Sequence, residues 1–150
     1  MSRFFRMSSK GVAQAPGTVQ YVGRARTDQV KVSVSYLDYD ADHFVEQEIA
    51  DIKECFPFRD TPSVTWINVD GLHDVDVIKG LGNHFGLHPL VQEDIVNTHQ
   101  RPKLEDFQDY LYVVCRMISY DEQSKQVESE QISLILGENF VISFLSLIHI

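Results

Sequence analysis

Basic residues and sulfur are both scarce in this sequence. Against 22 Asp and Glu stand 13 Lys and Arg, a formal net charge of −9. Nucleic-acid binding rests on Lys and Arg neutralising phosphates, so this balance argues against a nucleic-acid partner and suits cations or a basic partner. The two cysteines, Cys55 and Cys115, sit far apart among apolar neighbours and form no CxxC pair. They read as reduced, buried thiols in a cytoplasmic setting. No apolar run reaches the roughly 18 residues of a membrane helix, so the sequence is not expected to cross a bilayer by itself. The apolar end FVISFLSLIHI is too short, and the opening MSRFFRMSSK lacks the apolar centre of a signal peptide. A glycine-rich phosphate loop, a nucleophile elbow and an HExxH helix are all missing, which weighs against nucleotide chemistry and hydrolysis. There is no internal repeat and no low-complexity tract.

What is present is an ordinary globular composition. At 150 residues and 43% hydrophobic, the chain has the size and content of one domain with a real core. The pattern divides into a flexible tail over 1–17, a domain over 18–145 and an atypical apolar end over 146–150. Thr18–Val22 is a short β-prone run. Val30, Val32, Val34 and Tyr36 alternate with polar residues, as in a half-buried strand. Tyr39–Pro57 is ambiguous: Val45, Ile49, Ile52 and Phe56 have helical spacing, while Phe44–Ile49 also fits a strand. Ser63–Val69 is β-branched and aromatic and predicts a strand with Trp66 in the core. Asp74 is a good N-cap for a helix over Asp74–Phe85, with Val75, Ile78, Leu81 and Phe85 inward and Gly86 as its stop. Asp70, Asp74 and Asp76 lack the order and closing Glu of a calcium loop. Tyr110–Ser119 is nearly continuous in apolar residues and predicts a strand buried on both faces. Tyr120–Lys125 reads as a polar turn. Gln131–Leu136 and Phe140–Leu145, joined by Gly137-Glu138-Asn139, read as a hairpin. About six strands and two or three helices make a mixed α/β fold, with helices on one face of a mixed sheet.

Chemistry concentrates in His84–Lys103, HFGLHPLVQEDIVNTHQRPK, which holds three of the six histidines. Pro89 suits the first position of a helix. Leu90, Val91 and Ile95 give that helix, Pro89–Asn97, one apolar face, which leaves Glu93 and Asp94 pointing to solvent or a neighbour. Pro102 ends helical structure and pushes Arg101 towards an extended backbone. A loop bearing His99, Arg101 and Lys103 follows, tied down by bonds to backbone or to nearby acids such as Glu105. Two adjacent acids are an ordinary solvated helix face in most proteins. Their sharper meaning is an incomplete site for a hard divalent cation, since Mg²⁺ is often held by one or two carboxylates and keeps several waters. Zinc would need more ligands, and Gly86 and Pro89 break the helix that would align His84 with His88.

The runs TPSVTWINVDGLHD, GLHPLVQEDIVNTHQRPKLEDFQDYLYVV and ESEQISLILGENFVISF resemble, in order and spacing from about Pro16 to Phe144, the cytoplasmic N-terminal domain of the CorA family of magnesium and cobalt transport channels. The most specific part is HPLVQEDIVNTHQRPK. The resemblance implies an α/β/α sandwich, one helical layer of which is missing from this sequence. It implies a homopentamer of the inner membrane with this domain in the cytoplasm, Mg²⁺ and Co²⁺ as the ions, and no enzymatic activity. It also implies that Glu93 and Asp94 form a Mg²⁺ site between subunits, facing an aspartate on a long helix of the neighbour, and that loss of this Mg²⁺ opens the channel. The sequence stops before that helix, the pore helices and their Gly-Met-Asn signature, so a regulatory domain is expected, with no pore. The alternatives are the zinc-transporting branch of the same family and a metal-dependent hydrolase using Glu93, Asp94 and His99.

Overall fold

The computed structural model describes Pro16, Val19, Gln20 and residues 31–146. The expected tail over 1–17 apart from Pro16, most of the Thr18–Val22 run and the end over 147–150 lie outside the described residues. Seven strands form one sheet: β1 (Ser33–Tyr39), β2 (Phe44–Ile49), β3 (Val64–Asp70), β4 (Lys103–Asp106), β5 (Leu111–Asp121), β6 (Gln126–Leu136) and β7 (Phe140–Leu145). Their spatial order is β2-β1-β3-β7-β6-β5-β4. Only β3 and β7 run parallel; the remaining pairs are antiparallel. Between β3 and β4 lie two helices, α1 (Val75–His84) and α2 (Pro89–Val96). The sheet is therefore mixed, as expected, with one strand more than the sequence suggested.

The ambiguous stretch resolves into two elements. Phe44–Ile49 is a strand, and Ile52–Arg59 is a 3-10 helix whose N-cap Asp51 forms a capping box with Glu54. The alternation of Val34 and Tyr36 belongs to β1, which runs on to Tyr39; Val32 stands just before the strand and Val30 lies outside the described residues. The Tyr120–Lys125 turn is shorter than expected, because β5 continues to Asp121 and β6 restarts at Gln126.

The core lies between one face of the sheet and the helices. Ile67 and Val69 of β3, Ile142 and Phe144 of β7, Ile135 of β6, and Tyr112 and Val114 of β5 meet Ile78, Leu81, Phe85, Val91, Ile95 and Val96. Period 2 in the strands and helical spacing in α1 and α2 place all of these on facing surfaces.

The opposite face changes two expectations. Trp66, expected in the core, is 49% exposed, and its indole N–H donates to Ser143 Oγ at 2.8 Å. In β5 only Tyr112 and Val114 are buried; Leu111, Val113 and Cys115 are half-buried and Met117 is exposed. The physical reason is common to both. The register puts Trp66 beside Val141, Val141 beside Leu136, and Leu136 beside Leu111, so these side chains share the face on which the described residues place no helix. The apolar run in β5 is a strand with two apolar faces, one of which is covered here.

Candidate functional site

The site is built on α2 and the first residue of β4. Helix α2 starts where proline allows it: Pro89 stands in the first turn and the His88 ring accepts from Leu90 N through Nδ1 at 3.2 Å. His88 N in turn donates to the Tyr110 hydroxyl at 2.9 Å, fixing the helix start against the sheet. Val91, Ile95 and Val96 point into the core and Gln92 is buried with them. The Gln92 amide donates to Leu87 O at 3.0 Å and to Asn83 Oδ1 at 3.2 Å, bonding α2 to the end of α1. With that face inward, Glu93 and Asp94 fall on the helix flank, half-buried.

After α2 the chain turns sharply and is pinned. Asn97 Oδ1 accepts from His99 N at 3.3 Å. Gln131 of β6, only 1% exposed, accepts from Gln100 N at 3.0 Å and donates to Asp94 O at 3.3 Å. Arg116 of β5 donates to Gln100 O at 2.9 Å. Two side chains from the sheet thus hold the turn under the helix end, and Lys103 returns as the first residue of β4, paired with Val114.

That return brings Lys103 onto Asp94. The ammonium lies 2.6 Å from Asp94 Oδ2 and 3.2 Å from Glu105 Oε2. It also lies 5.3 Å from the centroid of the buried Tyr112 ring, within cation–π range. The other Asp94 oxygen, Oδ1, accepts from Gln100 Nε2 at 2.9 Å. Asp94 is therefore not an unsatisfied acid: both its oxygens have partners within the chain. Burial pulls the Lys103 pKa down, but its bonds to Asp94 and Glu105 outweigh this and the net shift is upward. Burial pushes the Tyr112 phenol strongly up, so the ring beneath Lys103 stays neutral.

Of the residues singled out in the sequence, the structure brings Asp94, Lys103 and Glu105 together, with Glu93 on the adjacent helix position. The three histidines do not converge with them. His84 stacks on Phe56 at 3.9 Å between ring centroids, with Nε2 2.9 Å from Phe56 O. His88 is the helix cap. Gln100 and Gln131 were not anticipated. Gln100 lies inside the quoted motif, but Gln131 lies 31 positions further on and no local signal marks it.

The donor chemistry on this flank is carboxylate oxygen, which fits a hard cation that keeps its waters. Among the described residues no group of three or more His, Cys, Asp or Glu converges as a metal site would require. Within the chain the two oxygens of Asp94 are taken by Lys103 and Gln100.

Residues 62–146 match the family model described as "CorA-like Mg2+ transporter protein". The chain is 44% identical over 129 residues to the cobalt/magnesium transport protein CorA of Thermotoga maritima, covering 86% of this chain and 36% of that protein. It is 32% identical over 85 residues to the putative metal ion transporter YfjQ of Bacillus subtilis, covering 55% of this chain and 25% of that one. Among solved structures, the complete CorA magnesium transporter from Methanocaldococcus jannaschii superposes with a TM-score of 0.53 at 15% identity, over 77% of this chain and 32% of that one. The full-length CmaX protein gives 0.58 at 13% identity, over 81% and 37%. These two likenesses are of fold. The chain spans about a third of the length of the Thermotoga relative.

Proposed function

Since the chain belongs to the family of CorA-like Mg²⁺ transporters, we propose that it is the cytoplasmic regulatory domain of a divalent-cation transporter for Mg²⁺ and Co²⁺. In this reading Asp94, assisted by Glu93, supplies one side of a Mg²⁺ site that a second subunit completes, and the longer protein is a homo-oligomer of the inner membrane. Occupancy of the site holds the transporter closed. The domain has no catalytic role, in keeping with relatives that are named as transporters. Among the described residues no helix is long and apolar enough to cross a membrane.

The observation that carries this reading is the setting of Asp94. Its carboxylate is three-quarters buried, oriented by Gln100, and carried on a helix whose inner face is buried and whose end is bonded to Gln131. Yet among the described residues no set of three or more His, Cys, Asp or Glu converges there. A partial carboxylate edge becomes a complete cation site only when another surface meets it. An ion that binds the joined arrangement better than the separated one shifts the population towards it. Few carboxylates and many waters make a weak Mg²⁺ site, as sensing requires.

The experiment is limited proteolysis of a longer protein that carries this domain together with its membrane part, with and without Mg²⁺. Mg²⁺ should protect the wild type, and the protection should be lost in the Glu93→Gln, Asp94→Asn double variant. Equal protection of both would leave these acids as an ordinary helix flank.

A further inference from the structure

The carboxylate read above as a cation ligand already carries a cation. Lys103 Nζ stands 2.6 Å from Asp94 Oδ2, a separation at which no metal ion can share that lone pair. A lysine ammonium is a compact point charge on a flexible stem. The backbone of Lys103 is held by the pairing of β4 with β5, so the charge can leave Asp94 but cannot diffuse off. A second perch is within reach: Glu105 lies two residues along the same strand, its side chain 43% exposed, and already takes the ammonium at 3.2 Å. The Lys103 side chain is itself 26% exposed, so swinging towards Glu105 and water does not strand the charge in the core.

We propose that Lys103 is a tethered competitor for the divalent cation. Its ammonium occupies the place on Asp94 that the ion takes, so the ion binds only as the lysine moves over to Glu105. The competitor, together with the acids, then sets the ion concentration at which the site fills. A tethered charge competes at an effective concentration fixed by its stem rather than by the medium. This makes the threshold a property of the fold. The inference rests on the reading of Asp94 as a cation ligand.

Co²⁺ is the probe, because its paramagnetism broadens amide signals close to it. The 150-residue chain, which offers the Asp94 edge without a second subunit, is titrated into the millimolar range, where a site of one or two carboxylates fills, and the amides of Ile95 and Gln100 are followed. Lys103→Gln should tighten Co²⁺ binding there by about tenfold, equivalent to about 1.4 kcal/mol. Arg101→Gln removes the same unit of charge from an exposed position two residues away; being screened, it should change binding less than about twofold. Adding Asp94→Asn to Lys103→Gln should abolish the gain. Should Lys103→Gln lose its amide dispersion, Lys103→Met keeps the apolar stem and takes its place. The proposal is overturned if removing Lys103 leaves Co²⁺ binding unchanged or weaker, if Arg101→Gln matches its effect, or if the gain survives Asp94→Asn. The two levels separate cleanly. Asp94→Asn alone weakening Co²⁺ while Lys103→Gln does nothing refutes only the competitor. Asp94→Asn alone without effect refutes the ligand reading as well.

Discussion

Gln131 carries more of the site than its distance along the sequence suggests. It is buried, and both ends of its amide are spent on the turn after α2. Replacing it by Leu leaves the Gln100 N–H and the Asp94 carbonyl without that partner. An unsatisfied buried polar group costs about 1–3 kcal/mol, so Gln131→Leu should lower the denaturation midpoint and speed hydrogen exchange at the Gln100 amide. Exchange unchanged at Gln100 would show that the turn is held by something else. Cys55 gives a second test. Burial, with a smaller contribution from Glu54, pushes its thiol up to about 12. In the unfolded chain it ionises near the ordinary value of 9.0. Raising the pH through that interval therefore releases a proton from the unfolded state first. Stability from this group is intact below about 9 and is lost as the pH climbs towards about 12. At neutral pH a maleimide should modify the half-buried Cys115 and spare Cys55, with both modified after unfolding; mass spectrometry of the labelled chain decides. At this scale the sequence showed which acids sit on the helix flank. It could not show that the lysine nine positions on lies against Asp94, because that contact depends on β4 doubling back.

Elements were legible where they announce their own ends. Asp74 caps α1 by accepting from Asp76 N at 3.1 Å, and Gly86 follows the helix with a φ of +71°. Pro89 opens α2. Strand β4 escaped notice because KLED is short and polar, with an alternation that appears only when it pairs with β5. The 3-10 helix was hidden inside a pattern that fitted helix and strand equally. The contact between α1 and α2 rests on a glycine: a Cβ at Gly82 would come within 2.5 Å of Gln92 Cδ. Gly82→Ala therefore has to displace the Gln92 amide from Leu87 O and Asn83. Overpacking of this kind costs about 1–3 kcal/mol, more than the gain in helix propensity of up to about 1 kcal/mol that Ala brings over Gly. Urea denaturation should show a net loss of stability, and an unchanged or raised midpoint would mean that α2 yields at this contact. Loss of the cap in Asp74→Ala should cost about 1 kcal/mol, read from the same transition.

The described residues form a sheet with helices on one side and an apolar surface on the other. Composition and periodicity gave the mixed α/β class and the helical face. They did not show that Trp66 lies on the open face, since a β-branched, aromatic strand looks alike whichever side is covered. The chain has one tryptophan, so fluorescence reports that face alone. In the 150-residue chain the emission should be that of a water-exposed indole, open to acrylamide quenching; blue-shifted, unquenched emission would mean that the face is covered. The central claim concerns the flank formed by Glu93 and Asp94, and its most direct test is transport itself. A longer protein carrying this domain is reconstituted in vesicles, and ion flux is measured as Mg²⁺ is raised on the side that bears the domain. If these acids form the sensing site, the wild type falls silent as Mg²⁺ rises. The Glu93→Gln, Asp94→Asn variant should then keep conducting to at least about tenfold higher Mg²⁺, the equivalent of about 1.4 kcal/mol of lost binding. Identical inhibition of both proteins over the whole Mg²⁺ range would contradict the account.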